Sequence, residues 1–329
     1  MKYIIFYLLF LSHGLMATES IYAEAKMVIK LIDKKDIQFI SAEESIFKIK
    51  GSKTLAVNGL SVKNILGKVP CLPYTICSKK IEERLSKLSI TPIQKLVIYD
   101  ESYGIYAAWL YTTLESMGHK NMLILNGGAR AILNIDPNQE TYNTYSNDLN
   151  ISLQNNENNE SSREIERLKE KLKVLKPLLL VETQSIMVEN SLKSTYKSSK
   201  KNSDYFLSKS ELKEAVAEVR VVEESNITIV DVCPMVDIVG NETGSYLSGV
   251  KVLSWKNIIN KQEHSVKSTK TLNMIFTKAG LDKEKNNYLY CMSGSEKALF
   301  VLTAMRDAGY VKIKAFTGDW NVWIGGVDE

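Results

Sequence analysis

The chain has 329 residues, enough for two domains with separate cores. Apolar residues make up 44% and charged residues 24%, an ordinary globular balance that excludes wholesale disorder and a membrane-embedded bundle. The formal net charge is only +4, and basic patches interleaved with aromatics are missing, which excludes nucleic acid as the main partner.

At the start of the chain, Lys2 precedes an unbroken apolar run, Tyr3 to Leu11, and small residues follow at Ala17, Ala23 and Ala25. This pattern reads as a secretory signal peptide over residues 1–25, cleaved after Ala17 or after Ala23-Glu24-Ala25. The run is short for spanning a bilayer. The expectation is an exported protein, periplasmic or secreted, with no stable membrane insertion after cleavage. Four cysteines occur, at 71, 77, 233 and 291. In an oxidising compartment Cys71 and Cys77 could pair, though their spacing does not decide it. No Cys or His set has zinc spacing, so neither metal nor organic cofactor is expected.

The next strand, Gln38 to Ile40, ends in Ser41. A second apolar strand, Leu96 to Tyr99, ends in Asp100. After an amphipathic helix, a third strand closes on Leu125 and the turn Gly127-Gly128. Residues 137–160 are rich in Asn, Gln, Glu and Ser, as suits a solvated loop. Ser161 and Glu164 form a possible capping box for a charged helix carrying Ile165, Leu168, Leu172 and Leu175, stopped by Pro177. A Lys/Ser run at 196–203 reads as a linker, and a new helix starts near Ser208. The strand Ile227 to Val230 ends in Asp231, and Tyr288 to Tyr290 delivers Cys291.

These elements form an internal duplication. When Asp100 is set against Cys291, Ala107 meets Ala298, Gly118 meets Gly309, Leu125 meets Phe316 and Gly127 meets Gly318, without a gap. Short apolar strands alternating with helices predict parallel sheets built from βαβ units, with Asp100 and Cys291 beyond the carboxyl ends of strands.

Cys291 opens a short loop holding Gly294, and an apolar helix follows at once. A helix start presents unpaired N–H groups and a partial positive charge, which favour thiolate over thiol and suit a small anion. The bland alternative is an inert cysteine at the end of a core strand.

The chain resembles the tandem-domain rhodanese family, the thiosulfate and 3-mercaptopyruvate sulfurtransferases. The resemblance rests on Val230-Asp231, the loop Cys291 to Glu296 and the tail Phe316-Thr317-Gly318-Asp319-Trp320 in the second half. In the first half it rests on Val97 to Asp100, Gly118-His119-Lys120-Asn121 and Leu125 to Gly128. It implies an α/β fold of two rhodanese-like domains, each a parallel sheet flanked by helices, joined by a long partly helical linker. The expected domains are 26–136, an inactive copy with Asp100 at the nucleophile position, and 205–329, the active copy, with linker 137–204 between them. The resemblance also implies that Cys291 accepts a sulfane sulfur as a persulfide from a small sulfur-containing anion and passes it to a thiol, cyanide or sulfite. Met292, Ser293, Gly294, Ser295, Glu296 and Lys297 would form the anion-binding loop, with Asp231, Cys233 and Asp237 in support.

Several positions depart from the family pattern. Glu296 stands where a cation is usual, Trp109 and Cys233 replace customary arginines, and Ser41 replaces a customary aspartate. Cys233 could discharge the persulfide or form a reversible disulfide with Cys291, or be merely a small buried residue. The interval from Cys291 to Gly309 is one residue longer than usual. An extra residue in the loop would widen it toward the related Cys-dependent phosphatases and arsenate reductases, with Lys297 as the cation. A non-catalytic sulfur-binding or interaction module is the alternative from a different class.

Overall fold

The computed structural model describes residues 20–45, 47–57, 60, 78–135, 138, 144–145, 147–149, 151–152, 159–175, 179–181, 195–199, 204–236 and 242–324. The apolar run of the leader, Cys71, Cys77 and Asp237 lie outside the described residues.

Two five-stranded sheets carry the fold, and every strand pair within them is parallel. The first contains β1 (Tyr22–Ala23), β2 (Ile37–Ser41), β3 (Lys53–Thr54), β4 (Lys95–Tyr99) and β5 (Met122–Leu125), in the order β1-β5-β4-β2-β3. The second contains β6 (Phe206–Leu207), β7 (Ile227–Asp231), β8 (Lys251–Val252), β9 (Asn286–Tyr290) and β10 (Ile313–Phe316), in the order β6-β10-β9-β7-β8. The two orders are the same, so the duplication read from the sequence is a duplication of topology. Leu96, Val97, Ile98 and Tyr99 of β4 are all fully buried, as befits a parallel strand covered on both faces.

The longer helices are α1 (Ser78–Lys87), α2 (Ile105–Ser116), α3 (Asn159–Leu175), α4 (Lys209–Val221), α5 (Thr269–Lys278) and α6 (Ser295–Asp307). Helix α4 begins as its sequence predicts. Ser208 Oγ accepts the Glu211 N–H, and the Glu211 carboxylate accepts the Ser208 N–H. Helix α3 begins at Asn159, so Ser161 lies inside it rather than capping it, while Ile165 and Leu168 are buried. The linker strand Leu179–Val181 pairs with Phe47–Ile49, and buried Tyr196 donates its N–H to Ser86, which ties the linker to the first domain.

The first domain starts earlier than residue 26. Tyr22 and Ala23 are buried and pair with Ile124 and Leu125, and the Ile21 N–H reaches Asp307 at the end of α6 at 2.8 Å. Tyr22–Ala23, which the sequence reading placed within the leader, is an edge strand of the first sheet.

Helices α2 and α6, equivalent in the duplication, pack against each other and join the two domains in one core that includes Leu96, Leu110, Leu289 and Phe300. Both are buried nearly all round, which explains why neither has the polar stripe of a surface helix. Thr112 and Thr303 lie 191 residues apart, are fully buried, and approach each other at 3.2 Å. They mark the local two-fold axis. One turn further, Arg306 grips Glu115 with two bonds of 2.6 and 2.9 Å, again between equivalent positions, and its guanidinium lies 4.0 Å over the Tyr205 ring.

Breaking a mostly buried, bidentate ion pair leaves a charge unpaired. The Glu115→Gln variant should lose about 2 kcal/mol of stability in urea unfolding, with the higher cost of a fully buried pair reduced by partial solvent access. The reversed pair, Glu115→Arg with Arg306→Glu, should recover part of that loss.

Candidate functional site

The site is built by strand register. Asp231 at the end of β7 lies opposite Tyr290 at the end of β9, and the Val232 N–H continues the ladder to the Tyr290 carbonyl at 3.0 Å. The two chains therefore leave the sheet side by side, at the spacing of paired strands. Cys233 follows Asp231 by two residues and Cys291 follows Tyr290 by one. Their Cα atoms are 5.0 Å apart and their sulfurs are joined in a disulfide. Cys291 is fully buried and Cys233 is partly exposed.

A buried carboxylate anchors this junction. Asp231 Oδ1 accepts the Cys233 N–H at 2.9 Å and Oδ2 accepts the Ser245 hydroxyl at 2.6 Å, while Ser245 also bonds the Tyr290 hydroxyl. One network thus holds the backbone before each cysteine. Burial pushes the Tyr290 phenol up, so it stays a neutral partner. Neither Ser245 nor Tyr290 was marked by the sequence, since Ser245 lies in a loop distant along the chain.

Beyond Cys291 the loop turns on Gly294, whose φ of 140° belongs to the region side chains avoid. A Cβ there would also meet the Glu296 carboxylate at 2.5 Å, so that side chain folds back over the loop. The Cys291 carbonyl accepts the Gly294 N–H, and Ser293 Oγ lies 3.0 Å from Cys291 Sγ. Lys297 Nζ donates to Ser293 Oγ at 3.4 Å and sits 5.7 Å over the Trp255 ring. Helix α6 then starts without a capping side chain, which leaves first-turn N–H groups facing the loop. The Met292 side chain is buried in the core with Tyr290 and Phe316, and its carbonyl accepts the Trp320 N–H.

The first domain reaches this loop through α2. Trp109 Nε1 donates to Ser295 Oγ at 3.3 Å. The Tyr106 phenol is pushed up by burial and then by the Glu296 charge. Two open surface hollows, one lined by Asp282, Lys283 and Tyr310 and one by Ser225, Thr228 and Lys285, share no residue with the Cys291 loop. Among the described residues no group of three or more His, Cys, Asp or Glu is placed to hold a metal ion, and no helix is long and apolar enough to cross a membrane.

The other copy shows what its equivalent loop holds. Ser41 lies opposite Tyr99 as Asp231 lies opposite Tyr290, so Glu43 and Asp100 take the positions of Cys233 and Cys291. The buried Asp100 carboxylate accepts the N–H groups of Ser102, Gly104 and Ala107 at 2.9, 2.7 and 2.8 Å. An anion fills this cradle. Gly128 must be glycine, because a Cβ there would fall 1.8 Å from the Asp100 carbonyl.

No family model matches the chain, and no curated protein sequence matches it. Solved structures do. The 3-mercaptopyruvate sulfurtransferase SseA from Escherichia coli superposes with a TM-score of 0.61 at 17% identity, over 92% of this chain and 99% of its own. The chain has the two-domain rhodanese fold. A sulfur transferase subunit of yeast mitochondrial complex I matches at a TM-score of 0.62 and 16% identity, over 92% of this chain and 96% of its own. EanB, solved with a cysteine persulfide and ergothioneine, matches at 0.62 and 13%, over 93% of this chain and 69% of its own.

Burial pushes the Asp100 carboxyl up to about 6; its three N–H bonds oppose this and the Glu43 charge adds to it. The folded state therefore holds this proton more tightly than the unfolded chain, whose value is 3.8. Asp100 contributes most to stability below pH 4, and the contribution declines as pH rises to about 6. Relative to Asp100→Asn, the wild type should lose about 3 kcal/mol over that window in urea unfolding at a series of pH values.

Proposed function

We propose that the chain is a sulfurtransferase whose nucleophile is Cys291. The observation that carries this reading is the position of that sulfur. It caps a central parallel strand at the uncapped start of α6, where the other copy of the fold holds an anion on three N–H groups. Once the disulfide is reduced, the same placement favours the Cys291 thiolate. The Ser293 hydroxyl, itself in reach of Lys297, is placed to donate to it.

The thiolate attacks the sulfur that a small donor gives up, either the sulfane sulfur of thiosulfate or polysulfide or the thiol sulfur of mercaptopyruvate, whose remainder leaves as the enolate of pyruvate and takes up a proton. The bond from that sulfur to the rest of the donor breaks, and the remainder leaves with the electron pair. A persulfide remains on Cys291, cradled by the loop amides of residues 293–296. An acceptor thiol, cyanide or sulfite then takes the outer sulfur and restores the thiolate. Support comes from the fold neighbours, one named as a 3-mercaptopyruvate sulfurtransferase and one solved with a cysteine persulfide. The Glu296 carboxylate over the loop disfavours doubly charged donors, so mercaptopyruvate should load better than thiosulfate.

Reduced, desalted Cys233→Ser protein incubated with each donor should gain one sulfur atom in its intact mass, and the double variant Cys233→Ser with Cys291→Ser should gain none. No gain in Cys233→Ser with any donor, together with no sulfide released by wild type, would overturn the enzymatic reading and leave a non-catalytic binding module.

A further inference from the structure

We propose that Cys233 is the resolving cysteine of this site, discharging a persulfide on Cys291 as sulfide and leaving the disulfide that the structure contains. The inference rests on the sulfurtransferase reading and adds a second reacting residue to it.

Three observations carry it. The two sulfurs are bonded, so no movement of the fold is needed for one to reach the other. The positions are set by the β7–β9 register and by the Asp231 carboxylate, which fixes the Cys233 backbone directly and Tyr290 through Ser245. Finally, the two residues differ in access: Cys291 is fully buried, whereas Cys233 is partly exposed.

In the first step, the Cys233 thiolate attacks the inner sulfur of the Cys291 persulfide. The bond between the inner and outer sulfurs breaks, the outer sulfur departs as hydrosulfide with the electron pair, and the 233–291 disulfide forms. The two electrons that reduce sulfane sulfur to sulfide come from the two cysteines, so an external dithiol must return them. Its first thiolate can reach Cys233 but not Cys291. Attack there expels the Cys291 thiolate, which is the better leaving group because it departs toward the N-terminal end of a thirteen-residue helix. The second thiol of the reductant then frees Cys233. In this cycle the disulfide also shields the nucleophile between turnovers, and no outside thiol need enter the buried cradle.

The test uses the full chain, reduced, desalted and kept anaerobic, with mercaptopyruvate as donor. Wild type should release one sulfide per chain without added thiol, lose both free thiols at 233 and 291, and retain no extra sulfur. Cys233→Ser should retain one added sulfur and release at least tenfold less sulfide. A persulfide retained equally by wild type and Cys233→Ser would overturn the resolving role while leaving the sulfurtransferase reading intact. Absence of added sulfur in Cys233→Ser, with no sulfide from wild type, would sink both. In a second measurement, the oxidised protein is exposed to glutathione and alkylated. The mixed disulfide should map to Cys233 and the alkyl group to Cys291; the reverse mapping would overturn the direction of exchange.

Discussion

The packing of α2 against α6 is the contact on which the rest of this molecule depends. Each is the first helix after the strand that carries the loop position of interest, so bringing them together brings the two loop ends together. At the centre Thr112 faces Thr303, and the Arg306–Glu115 pair closes the outer end of the seam. The two equivalent helices share one core, which makes the domains halves of a single packed body rather than beads on a linker. The same seam places Trp109 and Tyr106 of the first domain over the loop of the second.

Duplication followed by divergence shows clearly in the two loops. Both use a parallel strand, a turn and an uncapped helix start, and both place a pair of reactive side chains at the ends of adjacent strands. One copy carries carboxylates at these positions, Glu43 and Asp100, and the amides of its loop are occupied by the Asp100 carboxylate. The other carries thiols, which can bond to each other and exchange sulfur. A carboxylate fills the cradle permanently; a sulfur can leave it. The proposed chemistry lies in one half, while the other half supplies a share of the seam and the aromatic residues Trp109 and Tyr106 beside the loop.

Much of this was legible from residues alone. The gap-free alignment of Asp100 with Cys291, Gly118 with Gly309 and Gly127 with Gly318 foretold the two sheets, because glycines at turns and apolar strand runs are local requirements. The helix start near Ser208 was legible for the same reason, whereas the capping box there, between Ser208 and Glu211, was not named from the sequence. Less legible was the strand Tyr22–Ala23: an alanine such as Ala23 after an apolar run looks like a cleavage site until the sheet edge it occupies is known. The burial of the Met292 side chain was likewise invisible, since a loop sequence does not say which way each side chain turns.

By itself, the sequence determined the fold class and the duplication, because periodicity and turn residues are properties of neighbouring positions, and it singled out Cys291 by the helix start that follows it. Only the tertiary structure decided that Cys233 bonds Cys291, that Ser245 and Asp231 hold the junction, and that Asp100 occupies its own cradle. Those facts depend on the register between strands far apart in the chain, where a shift of one residue would turn each side chain to the opposite face.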